Sequence, residues 1–237
     1  MPRERRAFIT GGASGIGRVI AAALARDGAR VAIGDLNPKV DAVARDLGAA
    51  MGIRVDVTQP AQVDAAIRDV VRTLGGLDIL GNVAGIYRRA TVADMTPAQW
   101  DETLDANLKS AFLCTHFALP HMLRQRYGRV VSIASGLGVR GAARSSAYAA
   151  SKAGLMAFTK SVALEVFDQG VTVNCISPGI TDTPLMRDAN APGEIEATVA
   201  RTGRPLGKPE DVVAPFLFLI GDAAESVSGV TLWMRNP

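Results

Sequence analysis

Seven short runs rich in β-branched residues alternate along this chain with six longer stretches of 3.6-residue periodicity, and that alternation leaves few architectures open. The runs are Arg6–Thr10, Arg30–Asp35, Gly52–Val55, Asp78–Val83, Gly128–Ala134, Val171–Ile176 and Val230–Trp233. The periodic stretches are Gly15–Asp27, Pro38–Leu47, Pro60–Leu74, Pro97–Arg126 with a break near Asn107, Ser146–Phe167 and Pro209–Ile220. A strand that returns to its own sheet through a helix crosses over right-handedly and comes back parallel. The expected fold is therefore α/β, a doubly wound parallel sheet of about seven strands with helices on both faces.

Helix starts agree with this pattern. Thr96-Pro97-Ala98-Gln99 joins a capping box to a proline at the first helical position, and Pro209-Glu210-Asp211 puts acids in a first turn, where the helix dipole favours them. At 237 residues the chain fits a single domain, residues 1–237, better than two. Thr181 to Arg204 is the one long irregular stretch, and inside a compact α/β domain such a segment reads as a lid over a site.

Several functions are set aside at this level. The net charge of +3 comes from basic residues interleaved with acids, without a basic stripe, so no nucleic acid is expected as a partner. No apolar signal region precedes the first run and no apolar stretch is long enough to span a bilayer, so no membrane is expected and the reading is cytoplasmic. Cys114 and Cys175, the only cysteines, sit in apolar segments and read as buried reduced thiols. His116 and His121, five apart on one helical stretch, point in different directions, and no metal site is expected.

Thr10-Gly11-Gly12-Ala13-Ser14-Gly15-Ile16-Gly17 follows the first strand and opens the first helix. The spacing is Gly-x-x-x-Gly-x-Gly. Glycines here let the backbone turn tightly and approach a pyrophosphate, which then rests on the helix N-terminus; this is the first turn of a Rossmann-type sheet. Asp35 ends the second strand, eighteen residues after Gly17, where an acid accepts the adenosine ribose hydroxyls. It also repels a 2′-phosphate, since two like charges about 4 Å apart at an effective dielectric near 20 cost roughly 4 kcal/mol. Ser14, before Gly15, offers no offsetting cation, and Arg18 could offer one only by folding back from the helix, so the expected cofactor is NAD. Asp56 and Val57, after the third strand, are placed against the adenine, although Asp56 reads equally well as a turn residue.

Tyr148 and Lys152 stand four apart in Ser145-Ser146-Ala147-Tyr148-Ala149-Ala150-Ser151-Lys152, on one face of a helix. An ammonium beside a phenol favours the phenolate, so Lys152 is expected to pull the Tyr148 pKa down from about 10 towards working pH and fit it for proton transfer. Ser135 lies thirteen residues upstream, just past the fifth strand.

With these pieces in order, the chain resembles the short-chain dehydrogenase/reductase family in its compact single-domain branch. The resemblance runs from Ile9 to about Leu232 through Thr10–Gly17, Asp56, Asn82-Val83-Ala84-Gly85, Asn107, Ser135, Tyr148–Lys152, Asn174, Pro178-Gly179 and Thr183. It implies an NAD-dependent oxidoreductase that interconverts a small-molecule secondary alcohol and a ketone. Tyr148 would be the acid/base, Lys152 would lower its pKa and bind the nicotinamide ribose, Ser135 would hydrogen-bond the substrate oxygen, and Asn107 would hold a relay water. The cofactor would lie against Gly11, Ser14, Gly15, Ile16, Gly17, Asn82, Ala84, Gly85, Pro178, Gly179, Ile180 and Thr183. Where the family usually carries Asn-Asn-Ala-Gly and ends on a Val-Asp-Gly-Gly-like turn, this chain has Asn82-Val83-Ala84-Gly85 and finishes Gly229-Val230-Thr231-Leu232-Trp233-Met234-Arg235-Asn236-Pro237.

Substrate choice falls to three loops, which carry Arg88, Arg89, Arg140, Arg144 and Arg187 alongside Leu137, Val139, Leu185 and Met186. Guanidinium groups suit an anionic substrate and the others an apolar one, and both remain open. Apolar surface on Ala111, Phe112, Leu155, Phe158 and Val162 suggests a helix–helix subunit contact and an isologous dimer. The resemblance implies that such dimers pair into tetramers, so a homo-oligomer is expected, tetramer favoured over dimer. Two other functions share the fold: an NAD-responsive binding protein, disfavoured by the complete Asn-Ser-Tyr-Lys set, and an epimerase or dehydratase, whose relatives carry a substrate domain missing here.

Overall fold

The computed structural model describes residues 4–203 and 205–234; Met1 to Arg3, Arg204 at the end of the expected lid, and Arg235 to Pro237 of the unusual C-terminus lie outside the described residues. In chain order the elements are β1 (Arg6–Thr10), α1 (Gly15–Arg26), β2 (Arg30–Asp35), α2 (Val40–Asp46), β3 (Met51–Arg54), α3 (Pro60–Leu74), β4 (Ile79–Asn82), α4 (Pro97–Leu104) and α5 (Ser110–Gln125). They continue with β5 (Gly128–Ile133), α6 (Leu137–Arg140), α7 (Ser146–Val166), β6 (Val171–Ser177), α8 (Pro184–Asp188), α9 (Glu194–Thr202), α10 (Val213–Ile220) and β7 (Thr231–Trp233). All seven strands are parallel, in the order β3-β2-β1-β4-β5-β6-β7.

Each interior strand is buried on both faces, so successive residues feed different cores. Phe8, Leu80 and Val130 pack with α3, α5 and α7, while Ile9, Ile79 and Val131 pack with α1, α2 and α10. Phe8 is fully buried; truncating it to Ala would cost on the order of 3–5 kcal/mol.

The strand order reverses direction between β1 and β4, and the crevice outside their C-terminal ends is where such sheets bind ligands. Thr10 clasps that point. Its hydroxyl donates to the Gly81 carbonyl (3.2 Å) and accepts from the Val83 and Ala84 amides (3.1 and 3.2 Å).

Strand and helix positions follow the sequence pattern, with ends displaced by a residue or two where caps decide them. The capping box at Thr96 forms as expected, with Gln99 N–H donating to Thr96 Oγ1 (3.2 Å) and Thr96 N–H to Gln99 Oε1 (3.0 Å). The expected break near Asn107 is a π turn, Asp105–Lys109, between α4 and α5. Three expectations are corrected. The Thr181–Arg204 stretch is not irregular, because Pro184 and the capping hydroxyl of Thr183 start α8, and acidic Glu194 and Glu196 open α9. The last helix begins as a 3-10 turn over Pro209–Val212. Finally, Ala111, Leu155 and Val162 lie in the chain's own core, because α5 and α7 pack on the sheet through that face. Only Phe112, half-exposed, and the partly buried Phe158 remain at the surface, edge to face at 6.3 Å.

Candidate active site

A cleft of about 1250 Å³ opens along the C-terminal ends of the strands. At one end it is made of backbone. Gly11 has φ +65°, and a Cβ there would come within 2.9 Å of the Ala84 backbone. A Cβ on Gly17 would sit 2.2 Å from the Gly11 carbonyl oxygen, so only glycine lets the turn fold under the N-terminus of α1. Gly11, Ser14, Gly15, Ile16 and Gly17 all face the cleft. Asp35 braces this turn: its carboxylate accepts the Ala13 amide (2.9 Å) and the Asn37 amide (2.9 Å) at the end of β2 while still lining the cleft. Asp56 and Val57 line it too, with Asp56 accepting from the Thr58 amide (2.9 Å) and hydroxyl (2.7 Å), so it is both a turn residue and a wall.

Across from the turn, Ala84, Gly85, Pro178, Gly179, Ile180 and Thr183 face the same space. Asn82 does not, which corrects the expectation. It points into the interior, donating to Thr115 Oγ1 (3.2 Å) and Ser132 Oγ (3.3 Å), because the last residue of a buried strand still has neighbours on both faces.

At the other end the walls are side chains. Ser135, Tyr148, Lys152 and Asn107 converge there. Lys152 is buried, and its Nζ donates to the Ile133 carbonyl (2.8 Å) while lying 5.6 Å from the Tyr148 ring centroid. The sequence-based pKa expectation is reversed. Burial pushes the Tyr148 phenol up to about 12, against the opposing hydrogen bond from Ser135, with Tyr87 adding to the rise. Burial likewise pushes Lys152 down to about 8. The i, i+4 spacing does put both groups on one side of α7, and there desolvation is the largest cause of each shift. Asn107 braces the loop after β4: its Oδ1 accepts the Ile86 amide (2.7 Å), and its Nδ2 donates to the Ile86 carbonyl (2.9 Å) and Ser151 Oγ (3.1 Å).

The substrate candidates divide. Leu137 and Arg140 line the cleft; Arg88, Arg144 and Arg187 do not. Arg88 pairs with Glu102 (3.0 Å) on α4, and Arg187 with Asp182 (2.7 Å) and Glu196 (2.6 Å) inside the segment over the cleft. Arg144 adopts φ +63° in the loop before α7. Arg89 does line the cleft, and it reaches across it to Glu194 (2.7 Å) and Asn190. One face of α9, carrying Glu194, Ala197, Thr198, Arg201 and Thr202, closes that side. Tyr87 is a further lining residue, its ring centroid 4.4 Å from that of Tyr148. An aromatic two residues past Gly85, just beyond the mouth of β4, was the available signal for Tyr87; nothing in the sequence pairs Arg89 with Glu194.

A parallel sheet that offers bare backbone to a dinucleotide at one end of its crevice and a partly buried phenol at the other defines a nucleotide-dependent oxidoreductase. The chain belongs to the short chain dehydrogenase family, whose model matches residues 5–193. It is 39% identical to a cis-4-hydroxycyclohexanecarboxylate dehydrogenase of Sinomonas cyclohexanicum, covering 97% of this chain and 94% of that protein. It is 36% identical to a D-beta-hydroxybutyrate dehydrogenase of Cupriavidus necator, covering 98% and 96%. Among solved structures, a 3-ketoacyl-(acyl-carrier-protein) reductase from Brucella melitensis complexed with NADH superposes with a TM-score of 0.90 at 28% identity, covering 98% of this chain and 97% of that one. The chain is thus an NAD(P)-dependent oxidoreductase that interconverts secondary alcohols and ketones, and the binding-protein and epimerase readings are not favoured. No helix among the described residues is long and apolar enough to cross a membrane.

Proposed function

We propose that this enzyme uses NAD(H) in preference to NADP(H), with Tyr148 as the proton donor and acceptor. The observation that carries the cofactor choice is Asp35. Its carboxylate lines the cleft beside the glycine turn, where Asp56 adds a second acid and Arg18 of α1 is not among the lining residues. The residues fit such a cofactor: Gly11 and Gly17 leave the space that side chains would fill, and the N-terminus of α1 suits a pyrophosphate. When bound, the nicotinamide exchanges a hydride with the carbon that bears the substrate oxygen.

The chain's own residues supply the rest. Tyr148, held protonated by its burial, gives its proton to the carbonyl oxygen during reduction and takes it back during oxidation. The Ser135 hydroxyl donates to the same oxygen as negative charge develops. Lys152 would hold the nicotinamide ribose and, while charged, would favour loss of the Tyr148 proton. Asn107 ties the π turn to Ile86 and to Ser151 of α7 and, lining the cleft, would hold a relay water. The segment 181–204 acts as the lid, anchored by the Gly207 amide on the Ile180 carbonyl (2.7 Å) and by Arg89 on Glu194.

The substrate carries a carboxylate or similar anion. Arg89, Arg140 and Arg201 are among the residues that line the cleft, and two relatives are named for hydroxy acids. The assembly is a homotetramer, supported by half-exposed Phe112 and Phe167 and by exposed Leu164 on or beside α5 and α7. The compartment is the cytoplasm, consistent with the free buried thiols Cys114 and Cys175. The test is a panel of secondary hydroxy acids and their methyl esters, assayed with NAD and NADP side by side by NADH or NADPH absorbance. NAD-dependent turnover with acids ahead of esters is expected; equal rates with both cofactors would refute the cofactor assignment, and esters ahead of acids the substrate class. Light scattering decides the assembly, a monomer of 24.8 kDa being the refuting result.

A further inference from the structure

The Tyr87 ring is 4.4 Å from the Tyr148 ring, centroid to centroid, and tilted 41° to it. Its hydroxyl is 2.7 Å from Ser145 Oγ. Ser145 is fully buried and stands at the N-cap of α7, yet its hydroxyl caps no amide of that helix. It is instead engaged with Tyr87 and with the Ala143 carbonyl (3.3 Å). A serine at an N-cap ordinarily bonds the amide two or three residues on. Here that hydroxyl ties the loop after β4 to the start of the helix that carries Tyr148.

The rest of the loop is fixed in the same way. Asn107 grips both backbone groups of Ile86, and the Ala90 amide donates to the Arg144 carbonyl (3.1 Å). Tyr87 therefore stands on a short strap held at both ends. Its ring faces the one phenol whose angle matters to proton transfer, and an offset, tilted aromatic contact is a favoured geometry.

We propose that Tyr87 is a positioning residue for Tyr148: clamped by Ser145, its ring sets the plane of the Tyr148 phenol and keeps water from that side of it. This rests on the reading of Tyr148 as the acid/base. Proton transfer requires the donor within hydrogen-bond reach of the substrate oxygen, so a ring free to swing lowers turnover without weakening substrate binding. The groups facing Tyr148 are Tyr87 from the loop, Ser135 beyond β5 and Lys152 on its own helix, with Cys175 of β6 acting on Lys152.

The experiment compares Tyr87→Phe, Tyr87→Leu and Ser145→Ala in the full-length protein, using the best secondary alcohol of the panel at saturating NAD. Tyr87→Phe keeps the ring, and both it and Ser145→Ala should lose about three- to tenfold in kcat with KM unchanged. Tyr87→Leu loses the ring, and should lose about thirtyfold or more. Because hydration of the phenol makes its ionisation easier, the acidic limb of the oxidation pH profile should move down by about half a unit or more in Tyr87→Leu and stay in place in Tyr87→Phe. Adding Tyr87→Leu to Tyr148→Phe should cost almost nothing further, since the residue acts through Tyr148. A rise in KM at constant kcat, or the same fold-loss in the Tyr148→Phe background, would overturn the proposal. If Tyr148→Phe itself turns over normally, the reading of Tyr148 fails first, and that outcome is distinct.

Discussion

The two ends of the cleft are built from different materials. The nucleotide end is backbone: glycines that admit no side chain, a helix N-terminus and one carboxylate bonded to the turn it faces. The substrate end is long side chains whose partners lie far away in sequence. Arg89 reaches Glu194, and Tyr87 reaches Ser145 and lies against Tyr148. The first kind of site is fixed by local geometry and tolerates few substitutions. The second is fixed by pairings that tertiary packing makes, and each can be altered singly. Mutations at the nucleotide end should therefore change which cofactor binds, and those at the substrate end should change rate and lid closure.

The largest expected effect tests that division at the phenol. Tyr148→Phe should lose on the order of 10² or more in kcat while binding NADH as before, read by turnover and NADH fluorescence. If NADH affinity falls with turnover, the two ends are not separable. Next is the buried pair's response to pH. Lys152 releases its proton near pH 8 in the folded chain but near its ordinary 10.5 when unfolded. Between those values the unfolded chain binds the extra proton, so this group's contribution to stability rises with pH, by roughly 2 kcal/mol across the interval. Thermal melts from pH 8 to 10 should show the wild type gaining on Lys152→Met; parallel curves would mean that Lys152 is not desolvated.

A third, smaller effect belongs to the nucleotide end. NAD(H) should be preferred over NADP(H) by at least about tenfold in kcat/KM, about 1.4 kcal/mol, and Asp35→Ala should narrow the gap. A variant that keeps the full preference would move the discrimination elsewhere. The smallest effect concerns the lid. A double-mutant cycle on Arg89 and Glu194 should give a measurable coupling, and the more exposed Arg187–Asp182 pair distinctly less. Equal couplings would show that the strap does not hold the lid more firmly than the lid holds itself.

Much of this was legible in the sequence where the physics is local. The β-branched runs and the 3.6-residue periods gave the strands and the longer helices, the Thr96 capping box formed as spaced, and Gly-x-x-x-Gly-x-Gly marked the turn that only glycine can make. Tyr148 and Lys152 meet on one face because four residues make about one helical turn. The break at Asn107 was visible, but its π geometry was not, since that depends on the Ile86 and Ser151 partners of the side chain.

What misled was charge and orientation. Arg88 and Arg187 read as free guanidinium groups facing a substrate, yet each finds a carboxylate that folding brings beside it. Asn82 read as a cleft residue and turns inward, and three of five apolar residues taken for a subunit contact belong to the core. The sequence by itself determined the order of the strands and the longer helices, the glycine cradle, Asp35 and the spacing of Tyr148 and Lys152, because each depends on neighbours within a turn or a strand. Only the tertiary structure decided that the phenol is pushed up and the ammonium down, that Tyr87 lies against Tyr148, and that Arg89 spans to the lid. Burial and pairing across the cleft depend on residues brought together from distant parts of the chain, and no local pattern encodes them.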